Sequence, residues 1–142
     1  MDTGEILARV PIFSEMSNKD LRRMAKVAQT RSYKRGDTII KEGELATAFY
    51  VVVSGKVEVV QGAEGRQPRV LNNLGPGEFF GEMALWENYP RNASVRALED
   101  TQCLLVTRWD FQAELRSTPT IAVQMLPVLM RRLRQAEARP AD

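Results

Sequence analysis

Short strand-like runs separated by glycines fill the middle of the chain and constrain its fold more than any other feature. Between residues 31 and 107, β-branched and aromatic residues cluster at 49–53 and 56–60, with Ser54 and Gly55 as the turn between them. Further glycine breaks recur at Gly36, Gly43, Gly62, Gly65, Gly75 and Gly77. Many short strands between such breaks predict an all-β roll, with residues 101–107 as its last strand.

Helical patterns flank this region on both sides. Residues 5–29 are predicted to be helical, with Ser17 as an N-cap and Asp20 three residues later in the manner of a capping box. Apolar residues at helical spacing form the predicted buried face: Leu21, Met24, Ala25 and Ala28. The basic residues Lys19, Arg22, Arg23 and Lys26 lie opposite. We interpret them as a solvated face, with an acidic partner or lipid headgroups as the alternative.

Two more helices are predicted at the C-terminal end. The first covers residues 110–116, and Thr118 and Pro119 are the predicted N-cap and first residue of the second. Pro127 is expected to kink this second helix. The helix is apolar on more than one side, which predicts either a second surface for a partner or a twin subunit, or else one broad core face. Its basic end, expected to complement the helix dipole, contains Arg131, Arg132, Arg134 and Arg139.

Composition limits the classes of function. With 142 residues, 44% of them hydrophobic and 27% charged, the chain fits one domain, residues 1–142. A net charge of +2 argues against a nucleic-acid binder, and no apolar run approaches the ~20 residues of a membrane span. Without an apolar leader-like segment, we expect a cytoplasmic protein.

The absence of histidine and the single Cys103 narrow the chemistry further. They exclude internal disulfides, multi-cysteine zinc sites, histidine-held metals or haem, and Ser-His or Cys-His nucleophiles. We therefore expect no metal, no cofactor and no catalysis. Cys103, inside a predicted strand, is interpreted as a small buried apolar residue.

The residues with the clearest chemistry lie at 80–85 (Phe-Gly-Glu-Met-Ala-Leu) and 90–95 (Pro-Arg-Asn-Ala-Ser-Val). Arg91 offers a planar fork of donors that suits two phosphate oxygens, whereas Glu82, when ionised, accepts from sugar hydroxyls. The small residues beside them let backbone N–H groups approach a ligand. The simpler alternative is an ion pair between Glu82 and Arg91 on a loop.

These two segments resemble the phosphate-binding cassette of cyclic nucleotide-binding domains. The stretches 10–17, 35–44 and 49–59 resemble earlier parts of the same family in the same order, so that the resemblance covers roughly residues 6 to 135. It implies a mainly β fold with flanking helices. The family fold is an eight-stranded antiparallel β-roll (a double-stranded β-helix or jelly roll) with an N-terminal helical bundle and C-terminal hinge or lid helices. The N-terminal helices correspond to residues 1–30, the β-roll to residues 31–107 with the cassette at 80–95, and the C-terminal helices to residues 108–138.

The resemblance also implies a ligand and a switch. Glu82 and Gly81 would contact the ribose, and Arg91 with the N–H groups of Ala84 and Asn92 would hold the cyclic phosphate. The predicted ligand-binding set is completed by Met83, Ala93, Ser94, Leu74 at the base, and the lid candidates Leu129, Leu133 and Arg134. No aromatic lid residue is evident, since Trp109 and Phe111 lie too early in the chain.

Three hypotheses remain open. The first is a sensor of cyclic AMP, the ligand we favour, with cyclic GMP as the alternative because Asn92 departs from the residue types that usually follow the arginine. The second is the sensor part of a transcription regulator without its DNA-binding part, since the sequence ends at Asp142. The third is an interaction domain that binds no ligand. A homodimer or an effector contact through the C-terminal helix is the expected protein partner.

Overall fold

The computed structural model describes residues 2–138, and in these residues eight strands form two four-stranded antiparallel sheets. The first sheet has the order β1-β8-β3-β6 and the second the order β2-β7-β4-β5. The mainly β fold with flanking helices is therefore confirmed. The strands are β1 (Gln29–Tyr33), β2 (Thr38–Ile40), β3 (Ala48–Ser54), β4 (Val57–Gln61), β5 (Arg69–Leu74), β6 (Phe79–Phe80), β7 (Ser94–Ala97) and β8 (Thr101–Thr107).

Strand β3 is buried on both faces and separates two apolar clusters. Because side chains alternate along a strand, Phe49 and Val51 point to one face while Tyr50 and Val52 point to the other. The first pair packs against the helices, and the second pair lies in the cluster that both sheets share. This two-sided burial explains why residues 49–53 read as an unbroken apolar run.

The last strand matches its predicted bounds, 101–107, and buries Cys103 completely. Cys103 lies in the cluster between the sheets together with Val52 and Leu105. Burial raises the pKa of the Cys103 thiol to about 11, because the apolar surroundings disfavour the thiolate. The interpretation of this residue as a small buried apolar side chain is confirmed.

The N-terminal region is helical in three separate pieces, so the prediction of one helical stretch over residues 5–29 is wrong in its continuity. Helix α1 covers Thr3–Ala8, a 3₁₀ helix covers Pro11–Phe13, and helix α2 covers Asn18–Val27. Proline at the start of the 3₁₀ helix lacks the N–H that would continue α1. Strand β1 already begins at Gln29.

Ser17 is the N-cap of α2, as predicted, and its Oγ accepts from the Asp20 N–H at 3.2 Å. The return bond of a capping box is not made. The Ser17 N–H donates instead to Gln124 Oε1 at 2.5 Å, and the Asp20 carboxylate accepts from Gln124 and Thr120. The start of α2 is thus tied to a helix a hundred residues later.

The C-terminal helices are α3 (Arg108–Ser117) and α4 (Thr120–Glu137). Helix α3 is longer than predicted at both ends. Helix α4 begins one residue later than predicted, with Pro119 in the N-cap position, and continues through Pro127. Its buried face contains Ile121, Met125 and Val128. Arg139 of the predicted basic end lies outside the described residues.

A second apolar side of α4 is exposed in the single chain. Its large side chains have exposed fractions of 50–63%: Val123, Leu126, Met130 and Leu133. One broad core face does not account for these residues, because they lie away from the buried side. No helix among residues 2–138 combines the length and hydrophobicity that crossing a membrane requires.

Candidate functional site

The two predicted site segments lie close together at one edge of the roll. After β6 the chain turns at Gly81, whose φ of +80° is left-handed, and enters a 3₁₀ helix over Glu82–Leu85. The second segment passes an isolated bridge between Pro90 and Leu45 and then enters β7. Gly81 suits this turn because glycine adopts positive φ without steric cost.

Arg91 connects the two segments through its guanidinium. The side chain is half-buried, and its Nη2 donates to the carbonyl oxygen of Ala48 at 2.6 Å. Burial lowers the pKa of Arg91, but from so high a starting value that the side chain stays a cation. A Cβ at Gly81 would lie 2.5 Å from Arg91 Nη1, so only glycine leaves room for the guanidinium here.

The backbone of Arg91 is held by the loop that follows β2. Its N–H donates to the Glu44 carbonyl at 2.7 Å, and its carbonyl accepts from the Gly43 N–H at 2.8 Å. The φ of +89° at Gly43 is again one that glycine permits. The segment 35–44, which is part of the family resemblance, thus ends in a loop that fixes the backbone of the arginine.

A cavity of about 310 Å³ opens beside this guanidinium. Of the predicted ligand-binding residues, it is lined by Gly81, Glu82, Met83, Arg91, Asn92 and Ala93. Six further lining residues were not predicted from the sequence: Ile40, Val59, Phe79, Phe80, Tyr89 and Val95. Alternation along the strands could have indicated the apolar ones, but only the sheet order shows that they share one cavity.

Glu82 bonds to helix α4 and not to Arg91. Its two carboxylate oxygens accept from Arg132 Nη1 at 3.2 Å and from Nη2 at 2.5 Å. The hydrogen bond that Arg132 donates to Glu82 raises the pKa of Arg132. Glu82 and Arg91 therefore do not form the ion pair that was the alternative prediction. Arg91 bonds to the Ala48 carbonyl, and Glu82 pairs with Arg132.

A second cleft, of about 400 Å³, lies between the 3₁₀ helix and α4. The lid candidates Leu129 and Leu133 line it opposite Met83, and Trp86 adds an aromatic ring that is not among the predicted site residues. Arg132, which lies between the two leucines in sequence, was also missed. Its spacing of three residues from Leu129 puts it on the same side of the helix and could have revealed it.

Four predicted contacts differ from the arrangement in the structure. The Ala84 N–H donates to the Gly81 carbonyl at 3.0 Å, so it is not free for a phosphate. Ser94 is buried, and its Oγ accepts from the Glu42 N–H at 2.9 Å, which braces the loop. Leu74 packs in the cluster between the sheets, opposite Val57, and does not line the cavity. Arg134 is exposed and lines neither opening, because it lies two residues beyond Arg132 on another side of α4.

Asn92 is held at the rim of the cavity by its backbone. Its carbonyl accepts from Gln61 Nε2 at 3.1 Å, and its side chain is exposed. The arrangement therefore offers one half-buried cation, one exposed amide and one carboxylate around an opening with apolar walls. Such a set suits a small anion that carries hydroxyl groups and a ring.

Comparison with known proteins gives consistent matches. Residues 30–118 match the cyclic nucleotide-binding domain family. The chain is 39% identical over 127 residues to the cyclic AMP receptor protein of Thermus thermophilus, covering 89% of this chain and 59% of that protein. It is 36% identical over 107 residues to human cGMP-dependent protein kinase 2, covering 74% of this chain and 14% of the kinase.

The fold is similar to a solved structure over nearly its whole length. The N-terminal domain of a transcriptional regulator from Streptomyces coelicolor A3(2) superposes with a TM-score of 0.86 at 30% identity. The match covers 93% of this chain and 92% of that one. The chain spans less than two thirds of the length of each of the two curated relatives above.

Proposed function

Because the chain belongs to the cyclic nucleotide-binding domain family, we propose that it is a sensor module that binds cyclic AMP and performs no catalysis. The observation that carries the proposal is the half-buried guanidinium of Arg91 beside a cavity of about 310 Å³. One of its nitrogens is occupied by the Ala48 carbonyl. That bond orients the fork while donors remain for a phosphate.

In this proposal the ligand lies with its cyclic phosphate on Arg91 and the Asn92 N–H. The ribose hydroxyls donate to Glu82, and the base extends past Met83 toward Leu129 and Leu133. Met83 lines both openings, which supports one continuous path for the ligand from the phosphate end to the helix. The Ala84 N–H would join the phosphate contacts only if its bond to Gly81 opens on binding.

The signal would pass through α4. Arg132 holds both oxygens of Glu82, the same oxygens that ribose hydroxyls would need. A ligand that takes one of them therefore changes the contact that keeps α4 against the site. The ligand can shift the equilibrium between two positions of the helix only by as much free energy as separates its affinities for them. The downstream receiver would be a twin subunit or an effector on the exposed side of α4.

The finer description of the protein belongs to the same proposal. We treat residues 1–142 as one domain, the two sheets as a jelly roll and the N-terminal helices as a bundle. We place the protein in the cytoplasm. The similarity to a cyclic AMP receptor and to the N-terminal domain of a regulator supports a regulatory role, either as a separate sensor or as the sensor part of a transcription regulator.

Cyclic GMP is the second candidate ligand. The exposed amide of Asn92 at the rim of the cavity could accept from a guanine amino group. The similarity to a cGMP-dependent kinase also supports this alternative. Side-by-side titration of cyclic AMP, cyclic GMP and the open-ring 5′-monophosphate would separate the candidates and show whether the ring phosphate matters.

The central test is the Arg91→Ala variant. We expect it to weaken cyclic nucleotide binding by about 2–5 kcal/mol, because the ligand's charge is then buried without its partner. Isothermal titration calorimetry measures the change. Arg66→Ala, which removes the same charge from the exposed segment between β4 and β5, is the matched control and should bind like the wild type. Equal affinities for wild type and Arg91→Ala would disprove the assigned role of Arg91.

A further inference from the structure

Arg108, the first residue of α3, extends behind the 3₁₀ helix of the site. Its Nε donates to the carbonyl of Ala84 at 2.9 Å, and its Nη2 donates to the carbonyl of Ala46. Its own backbone N–H donates to the Thr47 carbonyl at 2.9 Å. One side chain thus connects the 3₁₀ helix to the segment that leads into β3.

These two attachment points belong to the two halves of the site. Ala84 lies in the 3₁₀ helix that carries Glu82, and residues 46–48 end at the Ala48 carbonyl that orients the Arg91 guanidinium. Gln112, four residues after Arg108, donates from Nε2 to the Leu85 carbonyl at 3.1 Å. The last carbonyls of a helix have no partner within that helix, so α3 supplies the donors that they lack.

We propose that Arg108 is a positioning residue for cyclic nucleotide binding, which fixes the distance between the carboxylate half and the guanidinium half of the site. This inference rests on the proposed function. The guanidinium suits the role because its planar fork donates in two directions at once, whereas a lysine ammonium would reach only one of the two carbonyls. Arg108 itself lines neither opening and contacts no ligand in this proposal.

The test compares Arg108→Gln and Arg108→Lys with Arg116→Gln, which removes the same charge from the exposed far end of α3. Calorimetric titration with cyclic AMP should give a dissociation constant about tenfold higher for Arg108→Gln and a smaller increase for Arg108→Lys. Arg116→Gln should match the wild type. When Arg91→Ala is already present, Arg108→Gln should add much less than it does alone, because it acts through the same guanidinium.

A second measurement needs no ligand. Hydrogen exchange followed by mass spectrometry should show faster exchange of residues 82–87 in ligand-free Arg108→Gln than in Arg116→Gln. The Trp86 and Glu87 amides, which both donate to the Met83 carbonyl, are the reporters in this segment. If Arg108→Gln fails to fold, the Lys variant serves for both measurements.

The outcomes separate this inference from the proposed function. A wild type that binds no cyclic nucleotide overturns the proposed function, while the exchange data still decide whether Arg108 holds the 3₁₀ helix. A wild type that binds, with Arg108 variants of equal affinity, overturns the positioning role alone. Unchanged exchange of residues 82–87, or an equal loss of affinity in Arg116→Gln, also overturns it.

Discussion

At the scale of single residues, the site depends on how closely a guanidinium approaches a backbone. Arg91 Nη1 lies in the space that a Cβ at Gly81 would occupy, while Nη2 is bonded to the Ala48 carbonyl. The side chain therefore passes between two backbone segments and ends at the cavity. Glycine at position 81 serves two needs, a left-handed turn and a free path for the arginine.

Gly77 provides the means to separate these two needs. Its φ of +85° is close to the +80° of Gly81, yet a Cβ there would meet nothing within 4 Å. Alanine at either position should cost about 1–2 kcal/mol of unfolding free energy through the left-handed backbone. Only Gly81→Ala should also displace Arg91 and raise the dissociation constant for cyclic AMP, by about tenfold.

Chemical denaturation and calorimetry on the two variants check this prediction. Gly81→Ala should lose at least as much stability as Gly77→Ala, and only Gly81→Ala should lose affinity. A Gly77→Ala variant that binds as poorly as Gly81→Ala would mean that backbone strain, and not the path of the guanidinium, is what position 81 controls.

At the scale of elements, local patterns predicted the parts of the fold that local physics decides. The strand over residues 101–107 and the cap at Ser17 were both correct, because alternation and capping depend on a few neighbouring residues. Predictions failed where the partner is distant. The Ser17 N–H takes Gln124 as its acceptor, and Glu82 takes Arg132, which follows fifty residues later.

The same reason explains why some of the predicted ligand-binding residues lie away from the cavity. Six of the predicted ligand-binding residues line the cavity because they belong to the two motifs that meet at its edge. Leu74 does not line the cavity because the sheet register places it opposite Val57. Ser94 does not line it because its hydroxyl accepts a hydrogen bond from the loop after β2. Register and loop contacts are properties of the assembled sheets, and no spacing within one segment encodes them.

Gln124 is the element-scale contact whose loss should be measurable. Its Oε1 accepts from the Ser17 N–H, and its Nε2 donates to the Asp20 carboxylate at 2.7 Å. Because Asp20 is only 5% exposed, its carboxylate depends on such donors in place of water. Gln124→Ala should lower the free energy of unfolding by about 1–3 kcal/mol.

Urea denaturation of Gln124→Ala against Gln135→Ala checks this expectation. Both variants remove the same amide from α4, but Gln135 is exposed and near its far end. Similar stabilities for the two variants would contradict the view that the contact between α2 and the start of α4 holds the helix in place.

At the scale of the whole molecule, α4 has two parts with different attachments. Before Pro127 it is fastened by the buried Ile121 and Met125 and by the contacts of Gln124. After Pro127, Val128 is still buried, and the ion pairs that α4 makes within residues 2–138 are those of Arg131 with Glu15 and Arg132 with Glu82. The missing N–H of proline weakens the helix between these parts. We therefore expect the later half to be the part that would move if a ligand binds at Glu82.

The exposed side of α4 is where we expect a partner to receive such a movement. Val123, Leu126, Met130 and Leu133 follow one another at intervals of three, four and three residues, the spacing of a two-helix seam. All four are at least half exposed in the single chain. We predict that a second copy of the chain covers this stripe through its own α4, which would pass a change at one site to its partner.

Met130→Glu tests this arrangement, since a carboxylate in the middle of an apolar seam opposes its twin. Sedimentation equilibrium should give the wild type the mass of a dimer and Met130→Glu the mass of a single chain, 16.0 kDa. Gln135→Glu, which introduces a carboxylate on α4 away from the stripe, should remain a dimer and controls for charge alone. If the wild type is still monomeric at about 100 μM, well above a micromolar dissociation constant, a second copy of the chain does not cover the stripe. The stripe would then be the contact surface of a different protein.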